Sequence, residues 1–443
     1  MFLDCTMLQY IPELPAKTLA ANCYNQMFGN CKNIIKTPRL HATKLADQCY
    51  FGMFRGCEKL IELSELPATT LKYRCYYGMF NGCASIIETP KLPATTLADG
   101  CYYQMFYGCT KLKTVSELPA MTLTYECYRA MFYGCTSLTS FPELKANILA
   151  NSCYRQMFYN CISLITAPKL LATILAESCY EFMFAQSGLQ YPPDLLATNL
   201  AASCYKGMFS TCKSLVEAPN LPATILADNC YQQMFYSCES LKNVKPLPAT
   251  TLGTQCYKLM FRGCTSLTKA PELSAINLAP ECCVEMFAET GLTFAPELPA
   301  TELADLCYKG MFRDCYSLIT GPTILPATTL ANNCYSGMFQ KCTSLTTAPE
   351  LPATNLENDC YKFMFFSCSA LTNAPELLAT VLKPGCYYSI FENTSVNNIK
   401  IGATDISAED CLFEWLNNAS STGTFVKNSS TEFPIGSSGI PEG

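Results

Sequence analysis

A Met-Phe pair recurs along almost the whole chain, and its period is the strongest constraint on the fold. It stands at Met1, Met27, Met53, Met79, Met105 and onward to Met338 and Met364, with Ile390-Phe391 as a degenerate sixteenth copy. Twelve of the fifteen steps are 26 residues; the steps ending at Met208 and Met311 are 25, and the one ending at Met338 is 27. A period this strict implies an array in which each unit buries its apolar face against its neighbours. Length alone, at 443 residues, would suggest two or three globular domains. The repeat overrides that, and one solenoid is expected over residues 1–394, with a C-terminal cap over 395–443.

The thirty cysteines follow the same period. Fifteen stand four residues before the Met, from Cys23 and Cys49 to Cys386; thirteen stand four after it, from Cys5 and Cys31 to Cys368. Only Cys283 and Cys411 fall outside these columns. If the two cysteines of a unit share a helix, eight residues separate them by about 12 Å. That exceeds the limit of about 7 Å between the Cα atoms of a disulfide. The units at Met183 and Met286 also lack the second cysteine while keeping Cys179 and Cys282. Buried free thiols packing as small hydrophobes are the favoured reading; disulfides between repeats, or metal, are the alternatives.

Within a unit, Leu330, Cys334, Tyr335, Met338, Phe339 and Cys342 have helical spacing, which predicts a short amphipathic helix. Thr328 and Thr329 are its candidate N-caps, and the glycines at Gly82, Gly108, Gly134 and Gly263 its stops. Thr343 to Leu351 reads as a short parallel strand, ended by the proline that recurs at Pro38, Pro90, Pro142 and Pro349. Helices are about 10 Å wide and strands stack about 4.8 Å apart. The stack should therefore curve, with strands on the concave side and helices on the convex side. The expected fold class is a curved α/β leucine-rich-repeat solenoid.

The motif Met-Phe-x-x-Cys-x-x-Leu, repeated every 25 or 26 residues with a short strand between copies, resembles the BspA-like leucine-rich repeats of bacterial surface proteins. The resemblance covers roughly residues 1 to 400. It departs from the common form in its Ala-Pro-Glu-Leu-Pro-Ala segment. It implies a surface-exposed or secreted protein that adheres to host or matrix proteins. Similar repeats in phage proteins make a virion attachment or structural role the alternative, and an intracellular interaction scaffold a third. The opening MFLDCTMLQY lies mid-unit, without a basic start or an unbroken apolar core, so it reads as repeat rather than export signal. A fragment whose signal and cap lie upstream is expected, ahead of an intracellular product.

Beyond the repeats, Val396, Ile399 and Ile401 suggest a last strand. Ser407 is a candidate N-cap for a helix carrying Leu412, Phe413, Trp415 and Leu416. Residues 423–427 and 431–433 suggest a hairpin, and Gly436–Gly443 a loop.

Chemistry is sparse. The single histidine, His41, stands where other copies carry Pro67 or Pro93, and one histidine gives little basis for nucleophilic triads. No C-x-x-C pair or phosphate-binding glycine loop is present. The vicinal Cys282-Cys283 has no evident partners. No enzyme activity and no cofactor are expected. The net charge of −6 leaves no nucleic-acid footprint, and no apolar run is long enough for a membrane span.

The varied positions carry more information. After each strand-opening residue the side chains change from copy to copy. Tyr10, Lys36, Glu62, Glu88, Thr114, Tyr191, Glu217, Asn243, Lys269 and Phe294 form the candidate binding face, expected to be concave. A constant core under a varied face suits recognition of a protein partner; relaxed constraint on solvated positions gives the same pattern. Past the proline an acid recurs at Glu13, Glu117, Glu143, Asp194, Glu272, Glu297, Glu350 and Glu376, interrupted by Arg39, Lys91 and Lys169. This row is either a field that steers a basic partner or a solvated rim. Tyr24, Tyr50 and Tyr76 are expected in the core.

Overall fold

Inter-coil hydrogen bonding decides the local structure. In the computed structural model, which describes residues 1–436 and 438–440, the segment around each Met-Phe pair is not a helix. Its N–H groups alternate between two uses. Those of Cys49, Phe51, Met53, Arg55 and Cys57 donate to the carbonyl three residues back, at 3.0–3.3 Å. Those of Tyr50, Gly52, Phe54 and Gly56 donate to Cys75, Tyr77, Met79 and Asn81 of the next coil, at 2.7–3.0 Å. Every fourth residue enters the left-handed region to make this possible, as at Gln48, Gly52 and Gly56 or Asn229, Gln233 and Ser237. Non-glycine residues enter that region at a cost of about 1–2 kcal/mol each; each bond to the next coil returns about 0.5–1.5 kcal/mol.

The expected α/β solenoid is therefore corrected. Among the described residues there are no helices, and the two strands, β1 (Asn398–Lys400) and β2 (Thr424–Val426), both lie near the C-terminus. An α-helix would spend its N–H groups internally and occupy about 10 Å, twice the spacing of stacked strands. A ribbon of turns bonded to the next coil instead stacks at strand spacing. Without a helix layer, the argument for curvature around concave strands loses its basis. Gly82, Gly108, Gly134 and Gly263 do have positive φ, from 69° to 76°, but as the third left-handed position of the ribbon rather than a helix stop. Thr329, expected near a helix cap, forms a parallel bridge with Asn355.

The expected strands reduce to single-residue parallel bridges in three positions per coil. Lys36↔Glu62, Leu14↔Leu40 and Thr18↔Lys44 are examples. The recurring proline sits between the first two positions, where its missing N–H costs no bond.

The chain forms two compact units, Met1–Pro219 and Asn220–Gly443. In each, the core is a set of identical columns. In the first, Phe28, Phe54 and Phe80 stack at 5.6–5.8 Å between ring centroids, and Tyr50, Tyr76 and Tyr102 at 5.7 Å. In the second, Phe312, Phe339 and Phe365 stack at 5.5–5.6 Å and Tyr335 and Tyr361 at 5.7 Å. Offset stacking at such distances adds about 0.5–1.5 kcal/mol per pair beyond burial.

The thiols complete the core. No cysteine is in a disulfide, and all except Cys5 and Cys23 are buried. In the second column, Cys57 Sγ lies 3.2 Å from the Phe28 carbonyl oxygen and Cys83 Sγ 3.1 Å from that of Phe54. Ser187 and Thr290 take the place of the missing thiols, with hydroxyls 3.4 and 3.3 Å from Cys212 and Cys315 Sγ. The coil's lost residue coincides with Gly188 and Gly291, whose hydrogen-only side lies against the Ile162 and Thr265 carbonyls.

At the C-terminus the expected last strand is present as β1, whereas the expected helix and hairpin are corrected. Residues 408–418 form another turn ribbon, with left-handed Asp410, Glu414 and Asn418. Cys411 accepts from the Tyr387 N–H, as Cys386 does from Tyr361, so it belongs to the first cysteine column. Thr424–Val426 pairs parallel with Asn398–Lys400 rather than forming a hairpin. Trp415 is fully buried, stacks near Phe433, and donates its indole N–H to the Gly439 carbonyl at 2.7 Å. Of the predicted terminal loop, Ser437 and residues 441–443 lie outside the described residues.

Candidate functional site

The ten varied residues share one register position in the repeat, and all except Tyr10 form the first of the three bridges in their coils. Lys36 pairs with Glu62, Glu88 with Thr114, Thr166 with Tyr191 and Lys269 with Phe294, and Phe294 also pairs with Thr320. The ladder fixes the bridged backbones while all ten side chains are exposed. Tyr10 is 86% exposed, Tyr191 62% and Phe294 61%. The two units hold them separately: Tyr10, Lys36, Glu62, Glu88, Thr114, Tyr191 and Glu217 in the first, Asn243, Lys269 and Phe294 in the second.

Each column flanks a groove. The varied side chain and the acid three residues on are both exposed, and the less exposed Ala-Pro between them becomes the floor. In the second unit one opening of about 590 Å³ is lined by Lys269, Pro271, Glu272, Phe294, Pro296 and Glu297. Another of about 490 Å³ has Ala348, Pro349, Ala374 and Pro375 between Thr347 and Asn373 on one side and Glu350 and Glu376 on the other. In the first unit an opening of about 810 Å³ includes Tyr10, Lys36, Arg39, His41, Glu62 and Glu65.

The charges in these openings differ. In the first unit they pair with each other: Lys36 Nζ lies 2.8 Å from Glu62 and His41 Nε2 4.0 Å from Glu13. In the second, Glu297 accepts from the Thr323 N–H and hydroxyl at 2.8–3.2 Å, and Glu376 pairs with Lys400 at 2.8 Å. Sequence reading marked the walls of the groove but missed its floor. The signal was present in the Ala-Pro that precedes Glu272, Glu297, Glu350 and Glu376, where the proline also ends the strand.

The other candidates are placed as follows. Tyr50 and Tyr76 are core residues and Tyr24 is half-buried. Cys283 occupies a position in the tyrosine column between Tyr257 and Tyr308, beside a cavity of about 10 Å³. A hydrogen bond to Cys282, with burial, pushes its thiol well above the ordinary range. Burial likewise raises Cys49 to about 11 and Cys57 to about 12, so these thiols are poor nucleophiles at neutral pH. Among the described residues, no group of three His, Cys, Asp or Glu side chains could hold a metal ion, and no helix is long and apolar enough to cross a membrane. The chain matches no protein-family model, no curated protein and no solved structure.

Proposed function

We propose that this cysteine-rich repeat protein is a non-enzymatic scaffold that binds proteins through its varied ladder column, acting at a bacterial cell surface or in secreted form as an adhesin. The observation that carries the reading is the contrast between a repeated, buried core and one exposed, backbone-fixed column whose side chains differ between most coils. Rigid backbone with variable side chains is the arrangement that lets a repeat surface acquire partners without cost to the fold. The exposed aromatics Tyr10, Tyr191 and Phe294 are of the kind that anchor interfaces. The sequence resemblance to BspA-like repeats supports the adhesive assignment. Retention of every thiol in free form favours, as a second reading, an intracellular interaction scaffold.

The test is binding of the full chain to an array of extracellular-matrix proteins, alongside the Tyr191→Ala/Phe294→Ala variant. Both side chains are exposed, so the variant should keep its thermal midpoint while losing at least tenfold in affinity. Unchanged affinity, or no binding to any member, defeats the adhesin assignment.

A further inference from the structure

We propose that the second unit's groove takes an extended, cationic polyproline-II segment of a partner, lysine or arginine recurring at every third residue. This rests on the protein-binding reading and gives its partner a chemistry.

Three observations carry it. The floor is apolar and made of Ala-Pro steps: Ala295-Pro296, Ala348-Pro349 and Ala374-Pro375, with buried Gly321-Pro322 continuing it through the intervening coil. Proline-lined floors suit a preformed polyproline segment, which loses little entropy on docking. One wall is acidic, with Glu272, Glu297, Glu350 and Glu376. Lys269 stands on the opposite wall of one opening, and Lys400 is held by Glu376. Lys269 thus offsets one of the two carboxylates in the first opening and Lys400 one of the two in the second, so each opening keeps one uncompensated carboxylate. In the first unit, Lys36, Arg39 and His41 line the equivalent opening beside its glutamates, with Lys36 paired to its ladder neighbour Glu62 and His41 near Glu13.

The spacing supplies the third argument. Glu297 and Glu350 are two coils apart, which at strand spacing is about 9.6 Å. A polyproline helix repeats every three residues, about 9.3 Å. Successive cations at i and i+3 therefore fall opposite these two carboxylates.

The experiment is fluorescence anisotropy of the full chain with labelled (Lys-Pro-Pro)4 and (Glu-Pro-Pro)4 peptides. The lysine peptide should bind, should weaken steeply as salt screens the wall, and should lose at least fivefold in affinity to the Glu297→Gln/Glu350→Gln variant. The glutamate peptide should not bind. No binding of the lysine peptide at low salt, equal binding of both peptides, or an unaffected double variant overturns the proposal. A matrix-protein partner that binds through Tyr191 and Phe294 while the lysine peptide fails would sink this inference and leave the scaffold reading standing.

Discussion

Raising the pH should dismantle this fold over a narrow range. Thirty cysteines less the exposed Cys5 and Cys23 leave twenty-eight buried thiols. Desolvation raises many of them, Cys49 and Cys212 to about 11 and Cys57, Cys204 and Cys334 to about 12. In the unfolded chain a thiol titrates near 8.5. Between roughly pH 8.5 and 11 the unfolded chain therefore releases protons that the folded chain keeps. A folded pKa above the unfolded one means stability that is complete below about 8.5 and lost as pH rises. At pH 9.5 each such thiol costs about 1.4 kcal/mol. Half of the buried set, fourteen thiols, then costs on the order of 20 kcal/mol. A chain of this length has a total stability of roughly 20–65 kcal/mol. Urea denaturation under anaerobic conditions should show the midpoint falling steeply from pH 7.5 to 9.5, with cooperative loss of structure near pH 10. The same midpoint at both pH values would refute the buried free-thiol core.

Two further predictions concern local geometry. Gly188→Ala should cost more than about 3 kcal/mol, because its Cβ would lie 2.1 Å from the Ile162 carbonyl oxygen. Gly78→Ala has φ +56° but no atom nearer than 3.7 Å, so it should cost only the backbone strain of about 1 kcal/mol; equal costs in urea would contradict the coil-to-coil contact. Arg262 contacts Glu285 at 2.5 Å and Glu289 at 2.6 Å from half-buried positions. Arg262→Met should lower stability by about 1–2 kcal/mol, whereas Lys32→Met, which breaks an exposed pair with Glu58, should leave the urea midpoint unchanged.

The repeat, its period, the buried thiols and the tyrosine core were legible because each follows from spacing and residue type. The helix was not. Cys334, Tyr335, Met338, Phe339 and Cys342 stand at intervals of 1, 3, 1 and 3 residues, which suit a helix face but also a four-residue ribbon that buries the same residues. The distinguishing signal lay on the other positions. Asn22, Gln26 and Asn30, or Arg74, Gly78 and Gly82, recur every four residues and are left-handed. Glycine and asparagine tolerate that region, yet glutamine, arginine and phenylalanine also occupy it, so residue type alone did not reveal the pattern. At the candidate site, the varied column was readable as variation in sequence. Its groove was not, because the depth beside it comes from the Ala-Pro floor sinking between two bridge positions.

The turn side of the stack repeats at strand spacing rather than helix spacing. The Tyr107 and Tyr133 rings stand 4.6 Å apart on that side, and the Gly108 N–H donates to the Tyr133 carbonyl at 2.7 Å. Cysteines placed at both positions should therefore bridge on mild oxidation, read as a two-hydrogen mass loss in the peptide pair. Packed helices stand about 8–10 Å apart, beyond the disulfide range of about 4.4–6.8 Å between Cα atoms. Lys36→Cys/Glu62→Cys, across a parallel bridge, is the positive control. Bridging at both pairs is the predicted result; bridging at 36/62 without bridging at 107/133 would contradict the helix-free coil.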